Sequence, residues 1–360
     1  MLDASARRGA LSSRLKLLHS VIRRRFDFVD RIAVALYDSY SHNLKNYVSS
    51  NEKEDPLAGY EFPLPQALSL LESIVKGPRV ANDLSVFSAG QHEHTRKIRE
   101  HGYQASYTIP LIFEDSFCGF IFLNSYQTGC FTETVMEELD IYCHTIASTI
   151  AQDIGRIKIL NGALRTAEAL LRFGHEPVAA RMQRMSRITR LIAKGLIDAG
   201  KYSSDDEMLE KLSLFSAFHD IGKVAVPESI LSKPEILTRQ EFAILTTHTE
   251  AGLKIVDSIL SNFSLQSMKG IEMLRNIVLS HHEKMDGSGY PHRLRGKKIP
   301  VEARIVAVAD IYDALTSDRP HRTAMTSQEA FDVMEKQAKK LDPDCLAVLL
   351  QNTEKLESNL

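Results

Sequence analysis

The feature that most constrains this fold is the pattern after residue 175. From there on, alternating strand patterns almost vanish and apolar residues recur three and four apart. "MLEKLSLFSAFHDIGK", "RQEFAILTTHTEAGLKIVDSIL", "IEMLRNIVLSHH" and "VEARIVAVADIYDALTS" are all helical in period. Stripes of this kind are buried helix against helix, so the second half is predicted to be an all-α bundle.

The first half is mixed. "LSSRLKLLHSVIRRRF" reads as a helix with Ser12 or Ser13 as its cap, and "DRIAVALYD" reads as a strand. "DPLAGYEFPLP" is a turn-rich connection, and "QALSLLESIVKG" is a helix ending at Gly77. "SYTIPLIFEDSFCGFIFLNSY" reads as a hairpin around the acidic turn Glu114, Asp115 and Ser116. "FTETVMEELDIYCHTIASTIAQDI" opens with Thr132 or Thr134 as a cap and continues as a long helix. Together these make an α+β domain over residues 1–150, and a chain of 360 residues has room for two domains.

The helical period does not stop at the end of that domain. Ile146, Ile150, Ile154, Ile157, Leu160, Leu164, Ala167 and Leu171 follow near-heptad spacing. A connecting helix over residues 135–172 is predicted, pairing with its copy in a homodimer. The other reading of the stripe is an ordinary core-facing helix.

Composition removes several function classes. A net charge of −2 gives no global attraction to nucleic acid or anionic membrane. No apolar run approaches the ~20 residues of a membrane span, and the start lacks the apolar core of a secretory signal. The four cysteines (Cys118, Cys130, Cys143, Cys345) form no CxxC and no disulfide ladder. A cytoplasmic protein is expected. His92, His94 and His101 fall in a polar loop region without ligand spacing.

Position makes the thirteen histidines informative. Four apolar helices carry polar groups where core residues are expected: His219-Asp220, His248, His281-His282 and Asp310. A buried imidazole or carboxylate is costly unless paired or bound to a cation. One such residue is usually a satisfied core group; six on four helices of one bundle point to a metal site. Imidazole with carboxylate suits iron, manganese or zinc rather than calcium. Two metals are within reach if an aspartate bridges them, and Asp220 is the natural bridge.

These segments resemble a known family. His219-Asp220 in "HDIGK" is similar to the signature of HD phosphohydrolases. "HHEKMDGSGYP", residues 281–291, resembles the extended signature of the HD-GYP branch, as does "VADIYDALTSDRPHR", residues 308–322. The resemblance covers about residues 165–352. The first half more loosely resembles a GAF sensory domain. HD-GYP proteins are phosphodiesterases of the bacterial second messenger cyclic di-GMP. The resemblance therefore implies metal ligands at His219, Asp220, His248, His281, His282 and Asp310, holding iron or manganese as a binuclear or mononuclear site. It implies that Asp220 and Lys223 are catalytic, with Lys223 meeting the substrate phosphate, and that Gly289, Tyr290 and Pro291 form a turn beside the substrate. Two metals a few ångströms apart supply a nucleophile at neutral pH and Lewis-acid contact to a phosphate oxygen. The glycine turn at Gly287 and Gly289 is expected to let backbone approach a ligand closely. Asp286 orders that turn or takes part in proton transfer. Tyr290 stacks on guanine or packs the turn, and Arg319 and Arg322 contact substrate or pair with nearby acids such as Asp318; the residues leave both readings open.

The sequence departs from the family at one ligand. The first helix of the domain normally carries a histidine, preceded four residues earlier by a glutamate when a third metal is bound. In "RFGHEPVAARMQRMSRITRLIAKGL" Arg181 takes the histidine position and Pro177 the glutamate position. Shifting the register by one brings Glu176 into place but puts Ala180 at the histidine. Arginine stays protonated and cannot ligate. Arg181 is expected to weaken at least one metal position, to pair with Asp220 or Asp310, or to clamp a phosphate. Two functions follow. The first is a phosphodiesterase opening cyclic di-GMP to pGpG, or on to GMP, under control of the N-terminal domain. The second is a nucleotide receptor or protein-interaction module of a signalling pathway that has lost catalysis.

Overall fold

Alternating apolar residues in "RIAVALYD" and "FCGFIFLNS" need two sheet neighbours and a covered face, and they form the centre of a six-stranded antiparallel sheet. The computed structural model describes residues 11–38, 41–50, 55–87, 93–113, 115–169, 178–318 and 323–352. The chain divides into two units, Met1–Gly155 and Arg156–Leu360. The boundary falls within one 37-residue helix.

The first unit runs α1 (Leu11–Arg23), β1 (Arg31–Asp38), β2 (Asn43–Ser49), β3 (Glu61–Pro63), α2 (Leu68–Lys76), β4 (Arg79–Ala81), α3 (Glu93–Glu100), β5 (Ala105–Phe113), β6 (Ser116–Ser125) and the first part of α4 (Glu133–Ala169). The strand order is β3-β2-β1-β6-β5-β4. One sheet face buries Ile32, Val34, Ile121 and Leu123 against Leu15 and Ile22 of α1 and Leu139, Ile146 and Ile150 of α4. The other face buries Leu44 and Phe120 with Leu64 and Leu70. The α+β expectation holds, with differences in detail. The helix is already running at Leu11, so Ser12 and Ser13 lie inside its first turn rather than capping it. Thr132 is the side chain at the start of α4, its hydroxyl accepting from the Val135 N–H at 3.4 Å. The segment carrying His94 is helix α3, not loop; His92 and Glu114 lie outside the described residues.

Among its described residues the second unit has helices and no strand. It contains α5 (Val178–Asp198), α6 (Asp206–Ser216), a 3-10 turn (Ile221–Ala225), α7 (Glu228–Leu231), α8 (Arg239–Thr246), α9 (His248–Asn262), α10 (Ile271–Ser280), α11 (Val301–Thr316), α12 (Ser327–Lys336) and α13 (Pro343–Gln351). Helix α5 packs against α6, α11 and α13, and α9 packs against α10 and the 3-10 turn. Ile192, Leu212, Phe215, Leu274, Ile277, Ile305 and Leu349 fill the core.

The near-heptad stripe of α4 is taken up inside the chain. Ile146 and Ile150 are buried in the core of the first unit, and Leu160 and Leu164 in the core of the second. Ile154, Ile157 and Ala167 pack at the edges of the same cores. The core-facing reading therefore accounts for this stripe, since these side chains already meet intrachain partners. Leu171 lies outside the described residues. No helix among the described residues is long and apolar enough to cross a membrane.

Candidate metal centre

The site is built from the ends of helices. Helix α6 stops at Ser216, and His219 and Asp220 follow in the turn that leads into the 3-10 turn. The sequence pattern ran α8 and α9 together. The structure ends α8 at Thr246 and starts α9 at His248, so His248 opens a helix instead of lying within one. His281 caps the C-terminus of α10, with His282 next to it. Asp310 lies in the body of α11. Backbone contact sets how closely these ends approach. A Cβ on Gly222 would lie 1.9 Å from the His248 carbonyl oxygen and 2.3 Å from the Gly252 nitrogen. The 3-10 turn therefore sits directly on the backbone of α9, with Asp220 beside His248.

Two overlapping groups of side chains could hold a metal among the described residues: Asp220, His248, His281 and His282, and His219, Asp220 and Asp310. Within each group the candidate ligand atoms lie within 4.8 Å of one another. Asp220 belongs to both. Its Oδ1 is 3.6 Å from His248 Nε2 and 3.7 Å from His281 Nε2. Its Oδ2 is 3.3 Å from His219 Nε2, which is also 3.4 Å from Asp310 Oδ1.

The histidine tautomers follow from their other nitrogens. Nδ1 of His219, His248 and His281 donates to the backbone carbonyls of Ser216, Leu245 and Ile277 at 2.8, 2.7 and 2.9 Å. A carbonyl only accepts, so Nδ1 carries a proton in each ring, and a ring that is neutral presents a bare lone pair on Nε2. Those three Nε2 atoms and Asp220 Oδ1 are buried with no hydrogen-bond partner. Unpartnered buried acceptors are rare in folded proteins. Backbone carbonyls fixing imidazoles from behind are the usual support of metal-ligating histidines. The residues fit a divalent metal on this ground. Electrostatics agree: burial lowers His248 to about 4 against the pull of Asp220, and burial also lowers His281 and His282, keeping these rings neutral. Burial lowers His219 too, but Asp220 and Asp310 outweigh it and raise that ring to about 9.

Fixed cations crowd one side. Lys223 Nζ donates to Asp220 Oδ2 at 2.7 Å. Arg181 Nη2 donates to the same oxygen at 3.1 Å and to Asp310 Oδ1 at 3.4 Å. Burial works against the Arg181 charge, but Asp220, Asp310 and Asp313 outweigh it and its affinity for the proton rises.

The "DGSGYP" turn closes one edge. Asp286 Oδ1 accepts from the Ser288 N–H and hydroxyl at 2.9 and 2.6 Å, so this exposed carboxylate orders the turn. The reason for Gly289 differs from expectation: a Cβ there would lie 2.5 Å from the His282 carbonyl oxygen and 2.4 Å from the Lys284 nitrogen. The close approach is to the chain's own backbone. The Tyr290–Pro291 peptide is cis. Tyr290 packs against His282 with ring centroids 4.7 Å apart, and edge-on to Phe242. Arg319, Arg322, Glu176 and Pro177 lie outside the described residues.

Three contributors were missed in the sequence. Glu283 is buried and accepts from the His292 and Leu294 N–H groups at 2.8 and 2.9 Å, tying the turn down. Asp313 accepts from Arg184 Nε at 2.8 Å and lies 3.7 Å from Arg181 Nε. The signal for Asp313 was its spacing of three from Asp310 on α11, which puts both on one face. Arg184 gave no comparable signal, because one more basic residue on an arginine-rich helix reads as a solvated charge.

Residues 172–345 match the family model described as "HD domain". The chain is similar to the cyclic di-GMP phosphodiesterase response regulator RpfG of Xanthomonas campestris, 37% identical over 180 residues, half of this chain and 44% of that protein. It is similar to a cyclic di-GMP phosphodiesterase of Thermotoga maritima, 36% identical over 42% of this chain and 40% of that one. A 3'3'-cGAMP-specific phosphodiesterase 2 of Vibrio cholerae is 36% identical over 42% of this chain and 28% of its own length. The chain thus spans less than half the length of these relatives. Among solved structures, the GAF domain of an Acinetobacter phosphoenolpyruvate-protein phosphotransferase is similar over 41% of this chain and 85% of that one, at 17% identity and a TM-score of 0.32.

Proposed function

We propose, from the match of residues 172–345 to an HD domain, that the chain is a metal-dependent phosphodiesterase hydrolysing cyclic di-GMP. The observation that carries the reading is the convergence of buried, unpartnered Nε2 atoms of His219, His248 and His281 around Asp220. His282 and Asp310 complete the proposed ligand set, with iron or manganese as the metal. A metal bound there supplies Lewis acidity and an acidified water.

The protein's own groups do the rest. Asp220 places its carboxylate between the two ligand groups. Lys223, about a third exposed, holds an ammonium at Asp220 Oδ2 where it can meet a phosphate oxygen. Asp286, Gly289, Tyr290 and Pro291 form the proposed substrate wall, and Arg319 and Arg322 are proposed to extend it. Water adds to one phosphorus, the bond to the 3′ oxygen breaks, and the water proton ends on that oxygen, giving linear pGpG; a second hydrolysis would give GMP. The first unit is proposed as a GAF-like sensor that sets this activity. A homodimer and signalling partners are proposed as its context, in the cytoplasm, where its free thiols persist.

One observation favours the receptor reading: Arg181 holds the oxygens of Asp220 and Asp310. The test is product analysis with cyclic di-GMP and 3'3'-cGAMP, using the wild-type chain and Asp220→Ala. Linear product from cyclic di-GMP, lost in the variant, is expected. Tight nucleotide binding without product from either substrate would favour the receptor.

A further inference from the structure

Asp220 uses its two oxygens differently. Oδ2 accepts from Lys223 and Arg181. Oδ1 accepts from nothing and faces the unpartnered Nε2 atoms of His248 and His281. The division continues outward. The oxygens nearest His219 Nε2 are Asp220 Oδ2 and Asp310 Oδ1, and these are the two that Arg181 Nη2 already holds. Arg181 Nε also lies 3.7 Å from Asp313, which Arg184 binds as well. On this side the carboxylates of Asp220, Asp310 and Asp313 face the fixed charges of Arg181, Arg184 and Lys223.

Resting on the reading of this cluster as a metal centre, we infer that the Arg181 guanidinium takes the place of one of two metals, so that the chain binds a single divalent metal on Asp220, His248, His281 and His282. A guanidinium does not deprotonate to make way for a cation. A second divalent ion beside it would meet like charge in a poorly screened site. It would also find the two nearest carboxylate oxygens engaged in charge-assisted hydrogen bonds. The side with open lone pairs has no such competitor. Arg181 is 28% exposed, so it also offers fixed positive charge toward solvent beside Lys223, although it cannot acidify a water.

The experiment strips the full chain of metal, reloads it with excess Mn²⁺, desalts it, and measures manganese per chain together with the low-temperature electron paramagnetic resonance spectrum. One manganese per wild-type chain, with the spectrum of an isolated ion, is expected. Arg181→His should bind two and give an exchange-coupled spectrum. Two manganese ions in the wild type, or one in Arg181→His, overturns the inference while leaving the metal-centre reading intact. No manganese in either protein overturns both. Should Arg181→His fail to fold, Arg181→Gln removes the charge without adding an imidazole. Its metal-free melting temperature should fall below that of the wild type and recover with Mn²⁺; an unchanged metal-free value contradicts the inference.

Discussion

At Gly222 a hydrogen occupies the space where any other residue would put a carbon against the His248 carbonyl. That contact sets the spacing between Asp220 and His248. Gly222→Ala must push the 3-10 turn off α9, at a cost of about 1–3 kcal/mol for overpacking. The expected outcome is a lower denaturation midpoint and Mn²⁺ affinity reduced tenfold or more, read by titration; wild-type affinity would contradict the account of how the site is assembled. The histidines and aspartates themselves were legible because each interrupts an apolar helical period. Glu283 was not legible. It reads as a solvated charge, and its partners are backbone N–H groups 9 and 11 residues further on, which no side-chain spacing reveals. Arg181 was legible as a departure, and its contacts with Asp220 and Asp310 were among the outcomes expected of it.

Among elements, the long ones were readable and the short ones were not. The hairpin β5–β6 and the helices carry enough periods to declare themselves. Strands β3 and β4 have three residues each, too few for alternation to register. Strand β2, "NLKNYVS", carries lysine and asparagine that blur its pattern. Strand β1 hides a further device: Arg31, 1% exposed, pairs with Asp55 at 2.9 Å and donates to Asn124 at 2.8 Å. Burial raises the Asp55 carboxyl, but Arg31 and the Leu57 N–H, among others, bring it below the ordinary 3.8. A depressed folded-state value means the stabilisation is fully present above the ordinary 3.8 and is lost as the pH falls from there through the folded-state value. Asp55→Ala leaves a buried guanidinium unpaired and should cost the first unit about 3–5 kcal/mol, measured by denaturant unfolding. If the first unit sets the activity of the second, the same variant should change turnover; a weakened first unit with unaltered turnover would contradict that regulation.

For the whole molecule, the organisation into an α+β half and an all-α half was legible because strand and helix periods alternate in the first half and strand patterns almost vanish after residue 175. The path of α4 was also legible, but the fate of its stripe was not. Periodicity states that a face is buried, not which chain buries it, and here the chain's own two cores take up the described residues of the stripe. The near-neutral charge of −2 leaves recognition of the proposed anionic substrate to local cations such as Lys223 and Arg181. In the proposed function, bound metal and cyclic di-GMP hydrolysis belong to one site in the second unit. The most direct test is turnover of cyclic di-GMP by the full chain, metal-stripped and then titrated anaerobically with Fe²⁺ or Mn²⁺. No hydrolysis is expected without metal, and the rate should rise in step with metal bound, to a plateau. Hydrolysis that survives complete metal removal, or none at full loading, would contradict it.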